Sequence, residues 1–460
     1  MRALELALAG FCAAAVAWPA IFGVRSRRGL VLAGSLGIVI AQLLLEGFRW
    51  QLVPLYLVAL ALGFGDLLSM ERKLPWWRRV SRPALGLIGV GMMSLPPASL
   101  PVPSLPAPTG DLAVGTATFE LTFADRLDPY GPEAGTISRR LAVQVWYPAL
   151  SDGRDPGPWT PDLDLIGPRL STRLGFPGFF LSHTVYTLGH GRSLASPLPG
   201  SFPVILYSHD LADFRTVALN QLEALASRGY FVVAADHAYL SLVSRLPDGA
   251  VLDFDPTALA PDLDEAARLD RGRDAEEVMK DDLVGILDAL AAEPSPFGEL
   301  AGHADVGRVG AYGRGMGGGV AVWLCLTDSR CRGAAGFNPW VEPLPDRVAA
   351  EPTSLPTMFL RSSEAVGTAN DGRLRGLAER SDGTAYWIGV AGTQSNDFVM
   401  APLFSPVAER LGMKGPITAE RIIPIIDRFL AGFFDHTLLD AGAAAIERNP
   451  FPEVSLEIIG

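Results

Sequence analysis

The pattern of apolar and polar positions divides the chain near residue 105. Before it, four almost uninterrupted apolar stretches follow one another, at residues 4–24, 29–48, 52–68 and 84–105. A helix crossing a ~30 Å hydrocarbon core needs roughly 20 such residues, so these stretches predict about four transmembrane helices. After residue 105 the period changes. Short β-rich runs at 116–123, 141–147, 204–207, 230–235, 306–312, 333–337, 357–361 and 385–390 alternate with helical stretches at 217–228, 274–292, 320–327 and 419–438. That alternation predicts a mostly parallel sheet flanked by helices on both faces, an α/β fold. Residues 150–200, rich in Pro, Gly, Leu and Phe without a period, read as a lid or insertion. The expected organisation is a membrane region over 1–105 and an α/β domain over 106–460, with the Pro-rich residues 96–108 as an extended spacer.

Charge sets an expected orientation. Arg25, Arg27 and Arg28 separate the first two stretches, and Arg72, Lys73, Arg78, Arg79 and Arg82 the last two. By the positive-inside rule both loops are cytoplasmic, which places the α/β domain on the outer face of a bacterial plasma membrane as part of a multi-pass protein. The formal charge of −12 excludes a nucleic-acid partner, because phosphate binding needs a basic surface. Three cysteines build neither a disulfide framework nor a zinc site, and the sequence calls for no metal or cofactor. Cys325 and Cys331 are close enough to pair in an oxidising compartment, or to remain two thiols.

The chemistry concentrates in Gly310-Ala-Tyr-Gly-Arg-Gly-Met-Gly-Gly-Gly319, entered by a strand and left by a helix. A strand-to-helix turn flanked by glycines is where G-x-S-x-G hydrolases expose their serine. Here the central position is Gly315, between Gly313 and Gly317. The same glycines match G-x-G-x-x-G, but the match follows several strands and Asn338 stands where the acidic residue would end the next strand.

Several ordered patches resemble the platelet-activating-factor acetylhydrolase family, including its membrane-spanning bacterial members. They are Pro106-Ala-Pro-Thr-Gly110, Arg140-Leu-Ala-Val-Gln-Val-Trp-Tyr-Pro148, Phe202-Pro-Val-Ile-Leu-Tyr-Ser-His209, Asp236-His237 and Phe433-Phe-Asp-His-Thr-Leu438. The resemblance implies an α/β-hydrolase fold with a Ser-Asp-His triad and an oxyanion hole. Carried over residue by residue, the triad positions fall on Gly315, Asn338 and Thr393 (or Gly392), and the oxyanion-hole amides on Leu211 and Met316. The oxyanion loop reads Ser208-His-Asp-Leu-Ala-Asp-Phe-Arg215, and Asp210 and Asp213 set carboxylates where negative charge should develop. Losing triad members costs on the order of 10⁶ in kcat. The expectation is therefore a non-enzyme, a pseudo-hydrolase serving as an accessory subunit of a membrane complex or as a lipid binder. The alternative is a membrane-anchored esterase acting through a non-standard nucleophile, with Ser208, Ser395 and Cys325 as candidates. Ser208 and His209, adjacent on a strand, point to opposite faces and are not expected to pair.

Overall fold

The structure, a computed structural model, describes residues 1–22, 29–68, 76–350 and 353–460. It contains two compact units. The first comprises Met1–Ser104 with Gly178–Thr187 and Phe404–Val407; the second comprises Leu105–Pro177, Leu188–Leu403 and Ala408–Gly460.

The first unit is built on α1 (Ala3–Phe22), α2 (Leu30–Leu45), α3 (Val53–Leu68) and α4 (Trp76–Ser99). Its interior holds an apolar cluster with Leu8, Leu52 and Leu55, and polar groups are buried as well. Glu5 and Arg49 form a buried ion pair at 2.6 Å, Tyr56 donates to Gln42 at 2.5 Å and Ser35 to the Ala59 carbonyl at 3.0 Å. Leu44, Leu45 and Leu68, by contrast, are more than three-quarters exposed. Among the described residues one helical segment, Trp50–Leu68, is long and apolar enough to cross a membrane. This corrects the expected bundle of four. Leu30–Leu45 has 16 residues, about 24 Å at 1.5 Å per residue and short of a ~30 Å core. The fourth helix opens at Trp76 in the basic segment, so its 24 residues include three arginines, and it carries Pro83, Pro96 and Pro97. It also continues to Ser99, so Pro96 and Pro97 belong to a last helical turn and not to the spacer. Arg25, Arg27, Arg28, Arg72 and Lys73 lie outside the described residues.

The second unit holds an 11-stranded sheet in the order β13-β12-β11-β10-β9-β5-β6-β2-β1-β4-β3. Its strands are β1 (Ala113–Leu127), β2 (Ser138–Ala149), β3 (Pro156–Pro158), β4 (Leu188–Ser193), β5 (Phe202–Ser208) and β6 (Phe231–Asp236), then, after the small β7 (Val243–Arg245) and β8 (Val251–Asp253) hairpin, β9 (Ala304–Arg314), β10 (Cys331–Phe337), β11 (Thr357–Ser362), β12 (Ala385–Val390) and β13 (Val454–Ile459). The helices are α5 (Leu163–Arg173), α6 (Leu219–Ser227), α7 (Glu265–Ala291), α8 (Gly315–Thr327), α9 (Asp346–Ala349), α10 (Ala369–Arg380), α11 (Ala401–Phe404), α12 (Ala419–Leu438) and α13 (Ala444–Glu447).

From β6 through β5 and β9 to β12 the strands run parallel. β6 is buried along its whole length and β5 from its second residue, as expected of central strands covered on both faces. Met279, Leu283 and Ile286 of α7 pack with Val320 and Leu324 of α8 on one face, while Phe434 of α12 lies against Tyr312 on the other. Residues 150–200 are more than a lid, since β3 and β4 extend the sheet beyond β1. Cys325 and Cys331 form a disulfide joining α8 to β10. The parallel register brings Ser208, Arg314, Phe337, Ser362 and Val390 to one carboxyl edge, where open α/β sheets bind their ligands.

Candidate active site

The turn from β9 into α8 requires glycine for two different reasons. A Cβ on Gly313 or Gly317 would strike the Ser208 carbonyl, so the backbones of β5 and the turn are in direct contact. Gly315 has φ +55°, the left-handed conformation that exposes a side chain at such an elbow. Where its side chain would begin stands the carboxylate of Asp210. Asp210 Oδ1 accepts the N–H groups of Leu211 and Met316, both at 2.9 Å, and Oδ2 lies 3.3 Å from Arg314 Nη1. The two expected oxyanion donors therefore converge on one anionic oxygen supplied by the chain itself. Arg314 also pairs with Asp213 and donates to Ser395 Oγ at 3.0 Å. The two aspartates that seemed only to spoil the oxyanion loop instead organise it.

The other expected triad positions do not join this group. Asn338, at φ +45°, accepts the Ser362 N–H at 2.8 Å and donates to Ser362 Oγ at 2.7 Å, a local tie between β10 and β11. Thr393 donates to the Val390 carbonyl at 2.6 Å. Cys325, a candidate nucleophile, has no free thiol because it is disulfide-bonded. Among the described residues no group of His, Cys, Asp and Glu has the arrangement of a metal site.

Ser208 does have a histidine partner, and it is not His209. Ser208 Oγ lies 3.1 Å from His237 Nε2, and His237 Nδ1 lies 2.9 Å from Asp282 Oδ2. Those are the distances of a nucleophile–base–acid relay. Its surroundings are structural, however. Ser208, His237 and Asp282 are all 0% exposed. Asp282 also accepts Arg139 Nε and Nη2, each at 2.6 Å, and Arg126 at 3.0 Å. Burial lowers the His237 ring to about 4, so it is neutral at ordinary pH. Burial alone would raise the Asp282 carboxyl, but Arg139 and its hydrogen bonds hold it well below the usual carboxylate range.

Sequence reasoning missed Glu276. It is fully buried on α7, three residues before Met279 and seven before Leu283, in register with the apolar stripe. That register was the available signal. Neither carboxyl oxygen has a hydrogen-bond partner among the described residues. Oε1 lies 2.7 Å from where a Cβ on Gly319 would be. Burial first, and then the charge of Asp210, raises this carboxyl well above its ordinary 4.5, so the fold holds it protonated. The native state then binds more protons than the unfolded chain above pH 4.5, and stability falls as pH rises through that window. Glu276→Gln is expected to remove this decline, read as a smaller drop in Tm between pH 5 and pH 8 than in the parent. An identical drop in both proteins refutes the assignment.

Comparison with known proteins agrees with this fold. Residues 105–244 match the family model for platelet-activating factor acetylhydrolase, isoform II. The platelet-activating factor acetylhydrolase of Cavia porcellus is 22% identical over 327 residues, 66% of this chain and 74% of that protein. A ferulic acid esterase of Streptomyces cinnamoneus superposes with a TM-score of 0.63 at 26% identity, over 77% of this chain and 99% of the esterase. One is an acetylhydrolase and the other an esterase, which overturns the expectation of a non-enzyme accessory subunit or lipid binder. Although the elbow lacks a serine, the amides of Leu211 and Met316 hold a carboxylate oxygen. The chain is similar to platelet-activating factor acetylhydrolases, most directly over residues 105–244, and has an α/β-hydrolase fold.

Proposed function

We propose that this chain is a carboxylic-ester hydrolase in which the carboxylate of Asp210 replaces the elbow serine. The observation that carries this is the Asp210 carboxylate in the Gly315 gap, held 2.9 Å from both oxyanion amides. An ester carbonyl seated over the elbow is attacked by a water whose proton passes to Asp210. As that carboxylate is neutralised, negative charge moves to the acyl oxygen. The N–H groups of Leu211 and Met316, released by the neutral acid, follow the charge and stabilise it. Collapse breaks the C–O bond to the alkoxy oxygen, which leaves with a proton as Asp210 gives up the one it took, so carboxylic acid, alcohol and the Asp210 carboxylate result. Short acyl esters and aryl esters such as feruloyl esters are the substrates to try first, given the acetylhydrolase and ferulic acid esterase relatives.

A second reading is supported by the 3.1 and 2.9 Å spacings of Ser208, His237 and Asp282, which would make Ser208 the nucleophile. Asp210 is favoured because its carboxylate stands in the Gly315 gap with both oxyanion amides on it. Purified full-length protein in detergent is expected to hydrolyse p-nitrophenyl acetate above a heat-inactivated control. Loss of that rate in Ser208→Ala but not in Asp210→Asn would favour the second reading. No turnover on acetyl, short acyl or feruloyl esters would sink both.

We further propose that the helical unit sits in a lipid bilayer with the α/β unit on its outer side. Exposed leucines together with a buried Glu5–Arg49 ion pair suit an apolar solvent, and the Cys325–Cys331 disulfide suits an oxidising compartment. The chain is expected to stay with membranes through alkaline carbonate washing and to be cleaved by protease added to spheroplasts. Release by carbonate, or protection from protease, counts against this location.

A further inference from the structure

Gly315 and Gly319 lie four residues apart on one face of α8, so their side-chain sites are about 5–6 Å apart. A carboxyl group from elsewhere in the fold fills the space beside each. Asp210 comes from the loop after β5 and occupies the first; Glu276 comes from α7 and borders the second. The two groups sit in opposite surroundings. Asp210 accepts two backbone amides and lies beside Arg314, contacts made by a carboxylate. Glu276 is 0% exposed with both oxygens unpartnered, and the charged groups acting on it are Asp210 and Arg273. Two carboxyl groups with environments this different are an acid and a base.

We infer that Glu276 is the general acid of the ester hydrolysis proposed for Asp210. The inference rests on that reading. Water gives one proton to Asp210 as its oxygen bonds to the acyl carbon. When the tetrahedral species collapses and the bond to the alkoxy oxygen breaks, Glu276 gives its proton to the departing oxygen. The proton on Asp210 then returns to Glu276. The net change is water added across the ester, yielding acid and alcohol, with both carboxyl groups restored.

An acid matters only when the leaving group needs a proton. Glu276→Gln is therefore expected to lower kcat/KM for ethyl or other alkyl esters by roughly 100-fold or more. The same variant should leave p-nitrophenyl esters within about 3-fold, because nitrophenolate departs unprotonated. Gln matches the neutral acid in shape, and a cooperative melting transition no lower than the parent's shows that the variant folds. Equal loss on both ester classes, or no loss on either, overturns the assignment of Glu276 and leaves Asp210 in place. If Asp210→Asn is without effect on both classes, the parent reading falls and this inference with it.

Discussion

Asp210→Asn is expected to lower kcat/KM for p-nitrophenyl acetate by about 10²–10⁴-fold while changing the melting temperature little. The asparagine oxygen can still accept the Leu211 and Met316 amides, so the loop and the elbow keep their arrangement. What the variant lacks is a group that takes a proton from water. It also removes one charge beside Arg314, which keeps Asp213 as an ion-pair partner and so does not become an unpaired buried cation. The measurement is a steady-state rate on the folded variant, with Ser208→Ala run in parallel. A rate for Asp210→Asn within a factor of three of the parent excludes Asp210 as the base.

Asp282→Ala is expected to destabilise the α/β unit by about 3–5 kcal/mol, the usual result of removing one partner of a buried ion pair. Arg139 is buried, and its Nε and Nη2 both donate to Asp282; Asp128, at 3.0 Å from Nη1, is the only acidic partner left to it among the described residues. The His237 ring would lose its Nδ1 partner in the same step. A domain is stable by only ~5–15 kcal/mol, so much of the total is at stake. Chemical denaturation followed by tryptophan fluorescence measures it, and a loss below 1 kcal/mol would mean that Asp282 is not a structural anchor.

The same cluster sets the response to acid. His237 is about 4 in the fold against 6.5 unfolded, so the unfolded chain binds more protons between those values and stability falls as pH drops from 6.5 to 4. The depressed Asp282 carboxyl contributes stability above its ordinary 3.8, which is lost as pH falls through its lower folded value. Glu276 acts in the opposite direction, on the alkaline side of 4.5.

The comparison of sequence with structure turns on what kind of physics places each residue. The strands, the final helix Ala419–Leu438 and the glycine elbow were legible because hydrophobic period and glycine's steric freedom are local properties. Helix length in the first unit was misjudged because the stretch at 29–48 contains Glu46 and Gly47, where the helix ends at Leu45. Asp210, Glu276 and the His237 partner of Ser208 were decided only by tertiary structure. They meet across 106, 43 and 29 residues of chain, from Asp210 to Met316, Glu276 to Gly319 and Ser208 to His237. No local period records which carboxylate will fill a gap that far away. The sequence determined that the elbow has no side chain of its own, and the folded sheet determined that a carboxylate stands in its place.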